Sequence, residues 1–171
     1  MDVYTLNANE GPKYFKGNLI LDSGIMGPCI TTFGIKDNQI TAKHFLMTAI
    51  ENDFEQFINA TIKKLGQNIK FYTSGGGLIS RDDYINVIKN NQIINYHGFI
   101  KKQEKSKELV EGILEKYNLD NITRWSPSGI GSRMIANNGL VNLLWFKNKN
   151  IFYNGLIEDA PTQNEFYKVL N

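Results

Sequence analysis

The sequence is poor in the residues that build metal centres and disulfide frameworks. Its 171 positions hold one cysteine and two histidines. One cysteine excludes a disulfide within the chain, so a reducing compartment is allowed. Cys29, His44 and His97 lack the spacing of a zinc site, and neither a metal nor a cofactor is expected. There is no run of about 18 apolar residues, which argues against a membrane-spanning helix. The N-terminus shows no charged-then-apolar leader, so the chain reads as cytoplasmic, or as exported without a cleaved leader. Neither sign of charge dominates: 19 Lys and Arg against 17 Asp and Glu leave a formal net charge of +2. With no basic run interleaved with aromatics, that is too little to argue for nucleic acid.

What is present is an ordinary globular composition. Hydrophobic residues at 42% and charged residues at 21% suit one domain with a real core. No repeat or low-complexity block divides residues 1–171. Strands are expected at residues 3–6, 18–21, 29–35, 40–47, 69–73, 92–100, 122–125, 134–136, 140–146 and 151–157. Thr48-Ala49-Ile50-Glu51 has capping-box spacing with Thr48 as N-cap. Ile50, Phe54, Phe57, Ile58, Ile62 and Leu65 then recur at helical intervals, and Gly66 fits the stop. A second helix is expected from Ser106 through Tyr117, after a polar, charged link at residues 101–107. Shorter helices are expected at residues 80–88 and, after the capping box Thr162-Gln163-Asn164-Glu165, through Leu170. The fold class is an α/β (α+β) sandwich in which a mixed, mostly antiparallel sheet carries two main helices.

The chemistry centres on residues 23–44. A cysteine is a nucleophile near neutral pH when a histidine beside it can take its proton. Cys29 and His44 stand fifteen positions apart. A hairpin would bring them together. Residues 29–35 and 40–47 are rich in β-branched and aromatic types, and Asp37 and Asn38 tolerate the left-handed backbone of a tight turn. With Asp37-Asn38 as a two-residue loop, Thr31 faces His44, and Cys29 is the diagonal neighbour of His44 on the same face. A loop of odd length would put them on opposite faces. Gly24, Gly27 and Pro28 make the approach to Cys29 irregular, which suits a residue exposed at the end of an element. On composition alone a lone cysteine is more often a small buried hydrophobe. His44, inside an otherwise apolar strand, needs a reason to be there.

Ser74-Gly75-Gly76-Gly77 ends the strand after the long helix. It lacks the lysine-serine ending of a phosphate loop, so it reads as backbone brought close to the site, or as a simple turn. Tyr96-His97-Gly98 holds the other histidine, which reads as a surface or core residue rather than a catalytic one.

Gly27-Pro28-Cys29-Ile30, a turn, and Ala42-Lys43-His44-Phe45-Leu46-Met47 resemble the Gly-Ser-Cys-Val and Ala-His-hydrophobic motifs of the CheD family, chemotaxis-receptor glutamine deamidases. The third catalytic residue of that family is a threonine six positions before the cysteine, where this chain has Ser23. The catalytic domains of the cytotoxic necrotizing factors and of Burkholderia lethal factor share the Cys-His arrangement and deamidate glutamine in host proteins. The Gly-Gly loop after the long helix, and Ser126 to Arg133 beside the family's Gly-x-x-Gly-Arg segment, add to the likeness. The resemblance implies a bacterial protein-glutamine glutaminase with Cys29 as nucleophile, His44 as acid–base and Ser23 orienting the imidazole through hydroxyl or carbonyl. It also implies a substrate site near Gly27, Gly75, Gly76 and Gly77. The Cys29 thiol is expected to be partly thiolate, paired with His44.

The partner so implied is a protein with an exposed glutamine, and family members also bind regulatory phosphatases. Departures are Pro28 in place of serine, which removes one N–H, and an apparent insertion at residues 80–102, where target specificity could reside. The alternatives are a deamidase toxin or effector secreted into a host cell, and a non-enzymatic binding domain of the same fold. A Cys-His pair alone is also compatible with a protease or a transglutaminase.

Overall fold

Strands of this chain divide between two sheets that pack face to face. The computed structural model describes residues 2–8, 10–47, 49–77 and 96–170. One sheet contains β1 (Asp2–Thr5), β3 (Leu19–Asp22), β8 (Gly131–Asn137), β9 (Leu140–Lys147) and β10 (Asn150–Leu156), ordered β1-β3-β8-β9-β10. The other contains β2 (Lys13–Lys16), β4 (Ile30–Lys36), β5 (Gln39–Phe45), β6 (Lys70–Gly75) and β7 (Asp120–Trp125), ordered β2-β5-β4-β6-β7. Pairing is parallel for β1–β3 and β6–β7 and antiparallel for the other named pairs. The α-helices among the described residues are α1 (Ile50–Leu65), α2 (Tyr96–Lys116) and α3 (Gln163–Leu170). The expected α+β sandwich with two main helices is what the chain forms.

Two apolar layers hold it together. Between the sheets lie Phe33, Ala42, Met134, Leu143 and Trp145, all at most 2% exposed. On the other face of the second sheet, Ile30, Phe45 and Phe71 meet Phe54, Phe57 and Ile58 of α1 and Val110 and Leu114 of α2. The second sheet is therefore buried on both faces, so β4 runs without polar alternation. Cutting Phe33 to alanine would cost roughly 3–5 kcal/mol, because its ring is fully buried in the layer between the sheets.

Several element boundaries depart from the sequence reading. Helix α2 takes in Tyr96–Lys116, so residues 96–100 are helical rather than strand, and residues 101–107 are helix rather than link. The buried face there carries Gln103 and Ser106, polar residues that interrupt the apolar period used to find helices. The first turns of α2 thus cover residues 96–102, the end of the supposed insertion. The helix expected at residues 80–88, the strand positions 92–95 and the Thr48 cap lie outside the described residues. Ala49 occupies the N-cap position of α1 without a side-chain capping bond. Strand β8 starts at Gly131 rather than Met134, because Ser132 already pairs with Met26. Strand β2 was not anticipated; its four residues, Lys13 to Lys16, line an edge. The Thr162 box closes as expected: Thr162 N–H donates to Glu165 Oε2 at 2.8 Å, and Glu165 N–H donates to Thr162 Oγ1 at 3.3 Å.

Candidate active site

The β4–β5 hairpin has the two-residue loop that the site requires. Lys36 pairs with Gln39, and Asp37 takes a φ of 53° in the left-handed region. Thr31 consequently stands opposite His44. Phe33 and Ala42, the next pair on that face, belong to the core between the sheets. Cys29 lies one residue before β4, where Gly76 N–H holds its carbonyl and Met47 N–H, just past the end of β5, bonds its sulfur.

Between β3 and β4 the chain crosses from one sheet to the other, and residues 23–26 are stitched to β8 on the way. Ser23 N–H donates to Met134 O at 2.9 Å, and Met26 and Ser132 exchange two backbone bonds at 2.8 and 2.9 Å. Ser23 is thereby fixed where its carbonyl oxygen meets His44 Nδ1 at 3.0 Å. A carbonyl only accepts, so Nδ1 carries the proton and Nε2 of the neutral ring presents its lone pair. That Nε2 is buried and has no hydrogen-bond partner among the described residues, Cys29 Sγ included. The Ser23 hydroxyl acts elsewhere: it donates to Gly24 O at 2.7 Å and accepts from Met134 N–H at 2.8 Å. The carbonyl of Ser23, not its hydroxyl, orients the imidazole.

Burial sets the resting protonation states. It pushes the half-buried Cys29 thiol above the ordinary cysteine range, an effect partly offset by the Met47 N–H bonded to the sulfur. It pushes His44 below the ordinary imidazole range, partly offset by the bond to Ser23. Both shifts favour the neutral forms and run against the partly thiolate Cys29, paired with His44, that the sequence leads one to expect.

The glycine loop abuts the cysteine. A Cβ on Gly75, whose φ is 111°, would sit 2.1 Å from Cys29 O, which only glycine allows. Gly76 N–H donates to Cys29 O at 2.9 Å, and Gly77 N–H donates to Gly27 O at 3.0 Å. These bonds fix Cys29 and Gly27, and they leave those two glycine N–H groups unavailable to a substrate. Pro28 has no N–H to add.

Two supports escaped the sequence reading. Asp22, 3% exposed, accepts from Arg133 Nε at 2.8 Å and from Gly24 N–H at 2.9 Å, and forms a second, very short contact with Arg133 Nη2. Burial alone would raise the Asp22 carboxyl, but the Arg133 and Gly24 bonds outweigh it and hold it below the usual range. The pair brackets Ser23. Gln103 of α2, fully buried, donates through Nε2 to Gly77 O at 2.9 Å and to Pro28 O at 3.5 Å. The Asp22–Arg133 partners are 111 residues apart, and no local signal in either stretch announces their pairing.

No protein-family model matches the chain, and no curated protein matches it.

A cleft of about 210 Å³ opens beside His44, with Glu10, Lys43 and Asp53 among its lining residues. Larger clefts of about 460 and 330 Å³ lie by Asn118 and Leu119, toward the start of β7 and away from Cys29. His97 is exposed in the first turn of α2 and does not line the His44 cleft. Among the described residues no three His, Cys, Asp or Glu side chains group as metal ligands, and no helix is long and apolar enough to cross a membrane.

Proposed function

We propose that the protein is a protein-glutamine deamidase acting through Cys29 and His44. The observation that carries this reading is the anchored imidazole: His44 Nδ1 is held by Ser23 O, which leaves Nε2 as a free base in the strand paired with the one that follows Cys29. The likeness of residues 27–30 and 42–47 to the CheD motifs names the amide as the group attacked. Such a site takes a glutamine side chain of a folded protein, on a chemotaxis receptor or on a host protein.

The steps follow from the protonation states. His44 Nε2 takes the thiol proton as the sulfur attacks the amide carbon, giving a tetrahedral oxyanion. Collapse breaks the C–N bond, and protonated His44 returns its proton to the leaving ammonia. Water then hydrolyses the thioester to glutamate and frees the thiol. A neutral thiol with a neutral base makes this general-base catalysis rather than attack by a preformed thiolate.

Ammonia release from a glutamine-rich protein mixture tests the reading, with the parent compared against Cys29→Ala. Release that needs Cys29, without chain cleavage and without uptake of an added primary amine, is the expected result. Cleavage would make the protein a protease, and amine uptake a transglutaminase.

A further inference from the structure

Thr31 and Thr32 are adjacent, both fully buried, and treated differently by the fold. Thr32 Oγ1 shares a hydrogen bond of 2.9 Å with Thr73 Oγ1. Thr31 Oγ1 has no partner among the described residues. A buried hydroxyl without a partner is destabilising, and valine would fill the same volume without that penalty. Thr31 also lies on an apolar face, followed two residues later by Phe33 and four later by Ile35. Packing gives no reason for the hydroxyl.

Position does. Thr31 is directly opposite His44, whose Nε2 is likewise buried and unpartnered among the described residues. Directly opposed residues have Cβ atoms roughly 4.5–5.5 Å apart, a span that one water bridges. Cys29 stands two residues before Thr31, just ahead of β4, with its carbonyl held by Gly76 N–H and its sulfur bonded by Met47 N–H, three residues beyond His44.

We infer that Thr31 is a positioning residue for the water that hydrolyses the acyl-enzyme, holding it between its hydroxyl and His44 Nε2. This rests on the thiol chemistry proposed above and adds a residue to it. In the step, Thr31 Oγ accepts one hydrogen of the water and His44 Nε2 removes the other. The water oxygen bonds to the thioester carbon, the C–S bond breaks, and the proton on His44 passes to the departing sulfur. The products are a carboxylic acid and the Cys29 thiol, and no oxidant or reductant is consumed. Thr31 has no part in acylation, where the nucleophile is the thiol itself.

The test uses p-nitrophenyl acetate, which acylates thiols and reports the two halves of the reaction separately. The burst of p-nitrophenol measures acetylation of Cys29, and the steady state measures hydrolysis of the acetyl-enzyme. Thr31→Val should keep the burst rate, lower the steady state by about tenfold, the loss of one hydrogen bond, and accumulate acetyl-Cys29 by intact mass. Thr31→Ser, which keeps the hydroxyl, should restore the steady state. A Thr31→Val protein whose burst and steady state both match the parent, or both fall equally, overturns the inference while leaving Cys29 as nucleophile. A parent whose p-nitrophenol release, burst and steady state alike, does not exceed that of Cys29→Ala overturns the thiol chemistry and this inference with it.

Discussion

His44 Nδ1 lies 3.0 Å from the carbonyl oxygen of Ser23, while the hydroxyl of the same serine serves Gly24 and Met134. The residue that the CheD resemblance puts in the third catalytic position therefore works through its backbone, and any residue placed there with the same backbone would supply the contact. Ser23→Ala should retain most of kcat, falling by less than about tenfold. It should lose roughly 1–2 kcal/mol of stability, because Met134 N–H is left buried without its acceptor. Urea unfolding alongside kcat checks both halves.

His44→Ala removes the base and should lower the rate by about 10²–10⁴. In the parent, kcat should fall as pH drops through the depressed pKa of His44, below the ordinary value of about 6.5, since only the neutral ring can accept the thiol proton. A pH–rate profile whose acid limb lies above that value would contradict the burial argument.

Alkylation of resting Cys29 should stay slow at neutral pH and rise only above the ordinary thiol value of about 8.5. His44→Ala should change that profile little, because no hydrogen bond joins Cys29 Sγ to His44 Nε2 among the described residues. A plateau of fast alkylation near pH 7 that His44→Ala abolishes would restore the ion-pair reading.

The hairpin is the part of this site that the sequence displays most directly. Two turn residues between β-rich runs specify the register, and register alone decides which face Cys29 and His44 share. The extent of α2 was hidden because its first turns bury Gln103 and Ser106, so an apolar period finds only the second half. The Asp22–Arg133 pair was hidden for a different reason: it joins β3 to β8, and contacts between strands distant in sequence leave no periodic trace. For Cys29 the sequence displays a histidine within reach but not the burial that pushes the thiol upward.

Arg133→Met should destabilise the fold by about 3 kcal/mol, at the low end for a broken buried pair, because the arginine side chain is 39% exposed. The folded pKa of Asp22 is depressed, so its contribution is present above the unfolded value of about 3.9 and is lost as pH falls through the folded one. The variant should therefore lose less stability than the parent on acidification, which denaturation at pH 7 and at low pH would show.

Gly75→Ala tests the loop. The added Cβ meets backbone at Cys29 O, and the positive φ adds strain, so the loss should be at least about 2 kcal/mol. Thermal unfolding reads the stability, and the alkylation rate of Cys29 reads the displacement of the cysteine.

The most direct measurement is site-resolved mass spectrometry of a glutamine-bearing protein mixture treated with the parent and with Cys29→Ala. The parent should convert particular glutamines to glutamate with every backbone bond intact, and Cys29→Ala should convert none. Conversion by Cys29→Ala at the rate of the parent would contradict the assignment of Cys29 as the nucleophile.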